Sequence, residues 1–328
     1  MKVGKISESI LKRSVLKQIK HKNSDVQNGA GVGSDCAIFA CSQGSYASSV
    51  QTTVMEQPSD IRYAIIKAVN SVAIAPATPC GALLSLLLPV DFSEDLLKKV
   101  MKHADDEAYK LGIQIAGGHT EVSSTILKPW VSVTVLGSVD ESSYQNKITP
   151  GQDVVISKWI GLEGTIRLAM EYQEKIMSRY PQHLIDEAVA FGEYLSVIPE
   201  AATAVKSNVG TMHDVSRGGI FAALWELAES VGVGLAIDLK KIPIKQETVE
   251  ICEYFGISPY ELLSGGCLLM TADDGEDLVQ ALQKEQIPAV VVGKITNNHD
   301  KVILNGEEKR FLERPGTDSY DQIKEMMQ

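Results

Sequence analysis

Three Gly-Gly pairs, each next to an apolar run, constrain this chain more than any other feature of its sequence. They are Gly117–Gly118, Gly218–Gly219 and Gly265–Gly266. Glycine lacks a Cβ, so its backbone adopts φ > 0 readily and other molecules can come close to its N–H groups. The pairs therefore predict sharp corners at strand ends that can accept anions. A tight turn without a ligand is the simpler interpretation of any one pair taken alone, because turn glycines are common.

The first pair is followed by side chains that bind phosphate or metal. The residues before it alternate between apolar and polar, which predicts a short strand that ends at Gly117–Gly118. His119, Thr120 and Glu121 come directly after the pair. Their side chains can bind a phosphate, a metal or each other. We therefore expect Gly117, Gly118, His119 and Thr120 to contact a bound ligand.

The second pair closes a polar stretch that contains both signs of charge. Residues 210–220 read Gly-Thr-Met-His-Asp-Val-Ser-Arg-Gly-Gly-Ile and precede a helix-forming run. The free N–H groups at a helix start can bind an anion. Asp214, Arg217, Gly218 and Gly219 are therefore candidates to meet a phosphate-bearing or metal-bound ligand. A local Asp–Arg pair with a helix cap remains the alternative.

A glycine-rich stretch near the start of the chain predicts a loop. Gly29, Gly31 and Gly33 stand at alternate positions and cannot pack as an ordinary strand, so this loop leads into a strand that begins at residue 36. No Gly-Lys-Ser or Gly-Lys-Thr follows, which excludes a P-loop, and no helix follows as a dinucleotide-binding fingerprint requires. Asp35, where loop and strand meet, is the candidate carboxylate for a metal ion or a neighbouring phosphate.

The order of the predicted elements indicates an α+β sandwich with helices on one face of a sheet. The first half alternates as two strands, a helix, a strand, a helix and two strands. Its helices are predicted over residues 61–75 and 93–111, and Ser93 is expected to cap the second. The apolar run over 82–89 predicts a strand covered on both faces. In the second half, Gly293 in a predicted strand over 289–295 indicates a bulge or a close approach of two strands. A turn at residues 149–153 predicts a boundary between domains 1–148 and 149–328.

Composition restricts the partners and the compartment. The chain has 31 basic and 42 acidic residues and a net charge of −11, which disfavours nucleic acid as a partner. Five scattered cysteines without a C-x-x-C pair indicate reduced thiols and argue against a zinc site. No apolar run approaches the ~18 residues of a membrane span, and no signal-peptide core is present. We therefore expect a cytoplasmic protein with no membrane partner.

Taken in order, these stretches resemble the aminoimidazole-ribonucleotide (AIR) synthetase superfamily. It includes that synthetase, thiamine-monophosphate kinase, selenophosphate synthetase and the hydrogenase-maturation carbamoyl dehydratase. Residues 29–39 resemble its Gly-rich loop that ends in an acid, and residues 117–121 resemble its Gly-Gly-x-Thr loop. Residues 212–219 and 256–266 are similar to the hydrogenase-maturation branch, with Gly161-Leu-Glu-Gly-Thr165 between them.

The resemblance implies a two-domain PurM-like fold. The N-terminal domain would pair with its copy in a homodimer to form a shared β-barrel, and the C-terminal domain would be α/β. Members bind ATP with Mg²⁺ and usually transfer the γ-phosphate to an amide, a carbonyl-type oxygen or another small acceptor. For this chain the acceptor, a small molecule or a protein, is not identified.

The resemblance also implies roles for single residues. Asp35 would help to hold Mg²⁺, Asp214 and Arg217 would approach the substrate or the γ-phosphate, and the glycine corners would border the nucleotide. The residues expected at the nucleotide are Gly31, Gly33, Asp35, Gly117, Gly118, His119, Thr120, Gly218 and Gly219.

The chain departs from the family at the metal-binding acids. Val54 and Ser71 stand where aspartates are expected, and neither side chain supplies the anionic oxygen that Mg²⁺ prefers. Glu56 is a weak substitute candidate. No cysteine follows Cys267, so the C-terminal thiol chemistry of the carbamoyl dehydratase is not expected. Two hypotheses remain open: an ATP-dependent phosphotransferase, or a non-catalytic relative that binds a nucleotide or a partner.

Overall fold

The computed structural model describes residues 7–21, 23–140, 147–207 and 209–327, and the chain divides into two compact units. The larger unit comprises residues 7–21, 31–33, 147–207 and 209–327. The smaller unit comprises residues 23–30 and 34–140. In the described residues, no helix has the length and apolar character that crossing a bilayer requires.

The smaller unit is a six-stranded sheet with two helices. Its sheet order is β1-β2-β3-β6-β4-β5, and only β4 and β5 pair in parallel. The strands are β1 (Val26–Asn28), β2 (Ala37–Cys41), β3 (Gly44–Val54), β4 (Ala77–Leu88), β5 (Gln114–Val122) and β6 (Trp130–Val139). The main helices, after the short helical turn α1 (Glu8–Ile10) of the larger unit, are α2 (Ile61–Ala73) and α3 (Glu94–Lys110).

Both helices lie on one face of this sheet, as the sequence predicts. Helix α2 contacts β3, β4 and β6, and α3 contacts α2 and β5. Ser93 caps α3 by accepting a hydrogen bond from the Leu96 N–H at 3.2 Å, as expected.

The expectation that the apolar run over 82–89 is covered on both faces is wrong. In β4, Ala82 and Leu84 are buried while Leu83 between them is 43 % exposed. Among the described residues of this unit, no helix packs on the other side of the sheet. We call this side the open face; its exposed apolar residues include Val26, Phe39, Tyr46, Val50, Leu83, Trp130 and Leu136.

The prediction that a strand ends at Gly117–Gly118 is wrong. The strand continues to Val122 and pairs with β4 past both glycines. The glycines are needed for a different reason: at φ +151°, a Cβ on Gly118 would lie 1.8 Å from the Leu84 carbonyl oxygen. The pair therefore allows a close approach of two strands and does not form a turn.

The larger unit is a seven-stranded sheet in the order β13-β12-β9-β11-β7-β10-β8. Its strands are β7 (Asp153–Ser157), β8 (Thr211–Val215), β9 (Gly234–Asp238), β10 (Cys267–Ala272), β11 (Ala289–Thr296), β12 (Lys301–Asn305) and β13 (Glu308–Phe311). Its longer helices are α4 (Leu162–Glu171), α6 (Gln182–Ala190), α7 (Ile198–Lys206), α8 (Gly219–Val231), α9 (Gln246–Phe255), α10 (Gly275–Lys284) and α11 (Ser319–Met326), with the short α5 (Gln173–Ile176) after α4.

Two apolar clusters stabilise the larger unit. One lies between the sheet and α8 and includes Ile156, Leu224 and Leu269, all without solvent exposure. The other joins α4, α6 and α9 to α11 and includes Leu168 and Ile323. The C-terminal helix is therefore part of the packed core of this unit.

The predicted bulge in β11 is confirmed. The pairing of β11 with β7 shifts register between Val291 and Gly293. A Cβ on Gly293 would lie 2.1 Å from the Ala236 carbonyl oxygen, so this position also brings two strands unusually close.

We predict that Gly118→Ala destabilises the protein by about 3 kcal/mol, because the new methyl group overlaps the β4 backbone. Urea denaturation followed by circular dichroism measures this loss. Gly81→Ala is the matched control, since its Cβ would meet the neighbouring strand at 3.6 Å, an ordinary contact. Equal stability of the two variants would contradict the close approach at Gly118.

Candidate functional site

Three corners of the larger unit meet at one end of the neighbouring strands β7, β10 and β8. Strand β10 lies between β7 and β8 and is antiparallel to both, so its start lies beside their ends. The segments that follow β7 and β8 lead into α4 and α8, and the segment before β10 contains Gly265–Gly266. Corners that are far apart in the sequence therefore become neighbours.

Direct hydrogen bonds join these corners. The Gly161 N–H donates to the Ser264 hydroxyl at 2.7 Å, and the Gly164 N–H donates to the Leu263 carbonyl at 2.8 Å. The Ser264 N–H donates to the Ser216 carbonyl at 3.1 Å. The starts of α4 and α8 are thus both fastened to the segment before β10.

The glycines at these corners leave no room for side chains. Gly218 caps α8 with φ +87°, in the left-handed region. A Cβ on Gly219 would lie 2.4 Å from the Tyr260 carbonyl oxygen, and one on Gly265 would lie 2.4 Å from a Glu163 carboxylate oxygen. The predicted turns at Gly218–Gly219 and Gly265–Gly266 are therefore present, and close packing explains them.

Asp214 and Arg217 have different surroundings. Asp214 lies on β8 and is only 6 % exposed. Its neighbour His213 approaches α8, where its Nε2 is 3.4 Å from Glu226 Oε2. Arg217 follows the strand with a third of its side chain exposed, and its guanidinium pairs with the carboxylate of Asp321 on α11. The C-terminal helix thus supplies a partner that sequence reasoning missed.

Asp318, immediately before α11, accepts three backbone hydrogen bonds. Its Oδ2 accepts from the Gly218 N–H, and its Oδ1 accepts from Tyr320 at 2.8 Å and from Leu263 at 3.3 Å. Burial raises the pKa of Asp318 to about 6, against the opposing effect of these N–H donors and of Arg217. A buried carboxylate therefore occupies the amino-terminal end of α8.

Charged side chains of α4 also contact α11, around Tyr320. The Arg167 guanidinium lies over the Tyr320 ring at 5.5 Å and its Nε is 3.2 Å from Glu163 Oε1. The Tyr320 hydroxyl donates to Glu171, and burial raises its pKa. The sequence signal for the start of this helix is Asp318, a residue type that caps helices by accepting a backbone N–H, here that of Tyr320. No local sequence pattern indicates that Arg217 and Gly218 are the partners of this helix.

A second buried ion pair lies behind the corner after β7. Lys158 has φ +53°, which is rare for a residue with a side chain. Its ammonium donates to the carbonyls of Tyr194 and Ser196 at 2.6 and 2.7 Å and pairs with Glu200 at 2.5 Å. Burial raises the pKa of the nearby Cys267 thiol, so this cysteine behaves as an apolar core residue.

The ligand candidates of the smaller unit lie on β5, at the end of the sheet order. Gly117, Gly118, His119 and Thr120 are all exposed, and His119 Nε2 is 3.2 Å from Glu121 Oε2. The strand register places His119 in one cross-strand row with Ser85, Ser132 and Thr52. Thr52 and Ser132 share a hydrogen bond at 2.8 Å, so a polar row crosses the otherwise apolar open face.

The Gly-rich loop is divided between the two units. Gly31 and Gly33 belong to the larger unit, whereas Asp35 belongs to the smaller one and is half-buried. Burial and the charge of Asp35 raise the pKa of the Cys36 thiol to about 12. Cys36 is therefore a neutral packing residue and not a thiolate nucleophile.

The donor set of the smaller unit does not fit an Mg²⁺ ion held by protein carboxylates. Ser71 is 2 % exposed inside α2, and both oxygens of Glu56 accept from Lys128, at 3.0 and 3.1 Å. Across the parts of the chain that the structure describes, no group of three or more Asp, Glu, His or Cys residues could hold a metal. This leaves Asp35 as the carboxylate predicted for the ion.

Comparison with known families covers most of the chain. The N-terminal domain of AIR synthase related proteins matches residues 33–139, and the C-terminal domain of AIR synthase related proteins matches residues 149–305. A putative hydrogenase expression/formation protein of Methanocaldococcus jannaschii is 25% identical over 315 residues, 92% of this chain and 91% of that protein. A carbamoyl dehydratase HypE of Rhodobacter capsulatus is 25% identical over 246 residues, 73% of this chain and 70% of its own length.

Solved structures support the two-domain fold. The chain matches a HypE–HypF complex with a TM-score of 0.74 at 20% identity, covering 93% of this chain and 99% of the matched one. A hydrogenase maturation protein HypE in complex with ATP matches with a TM-score of 0.70 at 17% identity, covering 97% of each chain. At such identities the likeness shows the fold alone, which is the mixed α/β, two-domain PurM-like fold. The described residues of the smaller unit form an open sheet and not a closed barrel, so the predicted dimeric barrel stays a prediction.

The raised pKa of Asp318 predicts an unusual pH dependence of stability. The folded protein takes up this proton near pH 6, whereas the unfolded chain takes it up only at lower pH, so the stabilisation is present in acid and is lost as the pH rises through about 6. The free energy of unfolding of the wild type minus that of Asp318→Asn should fall by about 2 kcal/mol between pH 4 and pH 7.

Urea denaturation at several pH values measures this difference. Glu325→Gln is the matched control, because Glu325 is an exposed carboxyl on the same helix. Its difference from the wild type should stay nearly constant. A difference for Asp318→Asn that is flat, or that rises with pH, would show that the carboxyl is not held in the buried state described.

Proposed function

Since this chain belongs to the AIR synthase related protein family, we propose that it binds ATP and, if it is active, transfers the γ-phosphate to a small-molecule or protein acceptor. The solved structure of a hydrogenase maturation protein HypE in complex with ATP, which shares the fold, supports ATP as the ligand. The family match over both halves of the chain carries the proposal.

In this proposal the phosphates meet the exposed glycine segment of β5. An edge strand presents backbone N–H groups outward, and Gly117 and Gly118 carry no side chains that would keep a phosphate away from them. Thr120 adds a hydroxyl and His119 a ring nitrogen. Asp35 is the carboxylate for a cation that accompanies the nucleotide, and Gly31 and Gly33 are the proposed glycine-rich contacts.

The larger unit is proposed to face the acceptor. Its candidates are Asp214, Arg217, Gly218 and Gly219, the residues around the start of α8. Arg217 is a fixed cation beside backbone N–H groups, an arrangement that stabilises phosphate charge. Asp214 precedes Arg217 by three residues in the sequence and is buried. It is the candidate to orient an acceptor group.

The second candidate function is a non-catalytic relative that binds a nucleotide or a partner protein. The observation in its favour is the donor set at the expected metal site. Val54 and Ser71 replace acids, and Lys128 already neutralises Glu56. With these two acids replaced, Asp35 alone would have to hold the Mg²⁺ that phosphoryl transfer to or from a tetra-anionic nucleotide requires.

Calorimetric titration with ATP, with and without Mg²⁺, separates the two candidates. Tight Mg²⁺-dependent binding with release of ADP identifies the phosphotransferase. Binding that does not depend on Mg²⁺ identifies the non-catalytic relative.

We predict that Val54→Asp with Ser71→Asp strengthens ATP binding in the presence of Mg²⁺ by about tenfold, because the pair restores two anionic oxygens to a hard cation.

The control is Tyr109→Asp, which adds a carboxylate at an 86 % exposed position of α3. Its affinity for ATP should match that of the wild type. Because Ser71 is buried, Val54→Asp alone is measured as well, in case the double variant does not fold. Folded variants that gain no Mg²⁺-dependent affinity would count against the placement of the metal site.

A homodimer forms part of the proposal. The open face of the smaller unit exposes Val50 by 62 % and Leu83 and Trp130 by 43 % each. Contiguous exposed apolar residues on a sheet are typical of a surface that binds another protein. A second copy of this chain, packed face to face, would cover them and form the barrel that the family resemblance implies.

We predict that Val50→Glu with Leu83→Glu converts a dimer into a monomer, because two buried carboxylates without partners strongly oppose association. Sedimentation equilibrium measures the mass. Tyr109→Glu, on the helical side of the unit, should remain dimeric. A wild type that is monomeric, or a double variant that stays dimeric, would rule out this face as the interface.

A further inference from the structure

We infer that the outer edge of β13 binds an acidic peptide segment of another protein, which adds to the larger sheet as an extra strand. The site lies in the larger unit alone. It goes beyond the proposed function, and it does not depend on whether the chain binds or turns over ATP.

Strand β13 is the accessible end of the larger sheet. The sheet order ends in β13 on one side and in β8 on the other. All five residues of β8 are buried, whereas all four residues of β13 are exposed. An exposed edge strand offers backbone N–H and C=O groups that an extended peptide can pair with.

The pairing with β12 determines which backbone groups of β13 point outward. Directly after β13, the Leu312 N–H donates to the Lys301 carbonyl on β12 at 2.7 Å. Hydrogen bonding alternates along an antiparallel pair, so the backbone groups of Arg310, like those of Leu312, face β12. The backbone groups of Lys309 and Phe311 therefore face outward, where an added strand can reach them.

Two cations beside this edge are supported by aromatic rings. The Lys309 ammonium lies 5.6 Å from the centre of the Phe311 ring, and the Arg310 guanidinium lies 5.4 Å from that of Phe221. Phe221 is itself stacked on Tyr260 at 5.1 Å. Among the described residues, neither cation forms an ion pair with a carboxylate. In a chain of net charge −11, these cations make the edge complementary to an acidic partner.

The alternation of side chains along β13 defines the sequence of the partner. Residues directly opposite each other in an antiparallel pair have their side chains on the same face. An antiparallel strand would place an apolar residue beside Phe311, which is 61 % exposed, and acidic residues beside Arg310 and Lys309. The expected partner sequence is therefore an extended apolar-acidic-acidic segment such as Val-Glu-Asp.

A second copy of the same edge fits less well. The antiparallel register in which the outward groups of Lys309 and Phe311 pair with each other places Arg310 opposite its own counterpart. Like charges directly opposite each other destabilise a strand pair. Charges on an edge strand discourage pairing with copies of that strand, so they favour a partner of the opposite charge.

Titration of a fluorescent peptide, Thr-Val-Glu-Asp-Thr with blocked ends, against the full chain tests the site by anisotropy. In the proposed register the valine N–H points towards β13 and the glutamate N–H points away. N-methylation of the valine should therefore abolish binding, and N-methylation of the glutamate should leave the affinity unchanged. This comparison uses the wild-type protein and does not depend on the folding of a variant.

Charge reversal on the protein provides the second test. Arg310→Glu should weaken binding of the acidic peptide by about tenfold and strengthen binding of Thr-Val-Lys-Lys-Thr, because the side chain opposite this position carries the complementary charge. Lys284→Glu is the matched control, since Lys284 is exposed on α10, which packs on β7, β10 and β11. Its affinity for both peptides should equal that of the wild type. ATP binding should be the same in both variants, which separates this site from the proposed nucleotide site.

Three results would overturn the inference. One is a wild type that does not bind the acidic peptide, and another is an equal effect of the two N-methyl groups. The third is a folded Arg310→Glu variant that binds the acidic peptide like the wild type. A change in mass of Arg310→Glu in sedimentation equilibrium would instead identify β13 as an interface between copies of this chain, which also contradicts the inference.

Discussion

Antiparallel pairing of β10 with both β7 and β8 is the interaction on which the larger unit depends. It places the starts of α4 and α8 next to the segment before β10, although these segments are about 50 to 100 residues apart in the chain. The hydrogen bonds of Gly161, Gly164 and Ser264 then fasten the corners to each other. Every charged group around the start of α8 takes its position from this arrangement.

The C-terminal helix completes that arrangement with carboxylates. The chain is acidic overall, with a net charge of −11, and it places two of its aspartates on the donors at the start of α8. Burying Asp318 is costly, which is why its pKa is raised, and the cost is offset by three N–H donors and by the packing of Tyr320. The same donors therefore hold α11 against the start of α8.

The smaller unit has a simpler constraint, the one-sided covering of its sheet by α2 and α3. Alternation along β3, β4 and β6 sends one set of side chains into the core and the other onto the open face. The close approach at Gly118 keeps β5 paired to β4, so the exposed glycine segment is rigid strand rather than loop. A ligand at Gly117–Thr120 would therefore meet a preformed backbone surface.

Local chemistry in the sequence was sufficient for the element order, the α3 cap at Ser93, the bulge at Gly293, the corners at Gly218 and Gly265, and the family. Each of these depends on neighbouring residues or on motifs that recur in order. Burial on one side of β4, the continuation of β5 past Gly118, and the partners of Arg217 were decided only by tertiary structure. The physical reason is that a covered face, a close strand approach and an ion pair such as Arg217–Asp321 each depend on a second segment, 104 residues away in the last case, which no local pattern identifies.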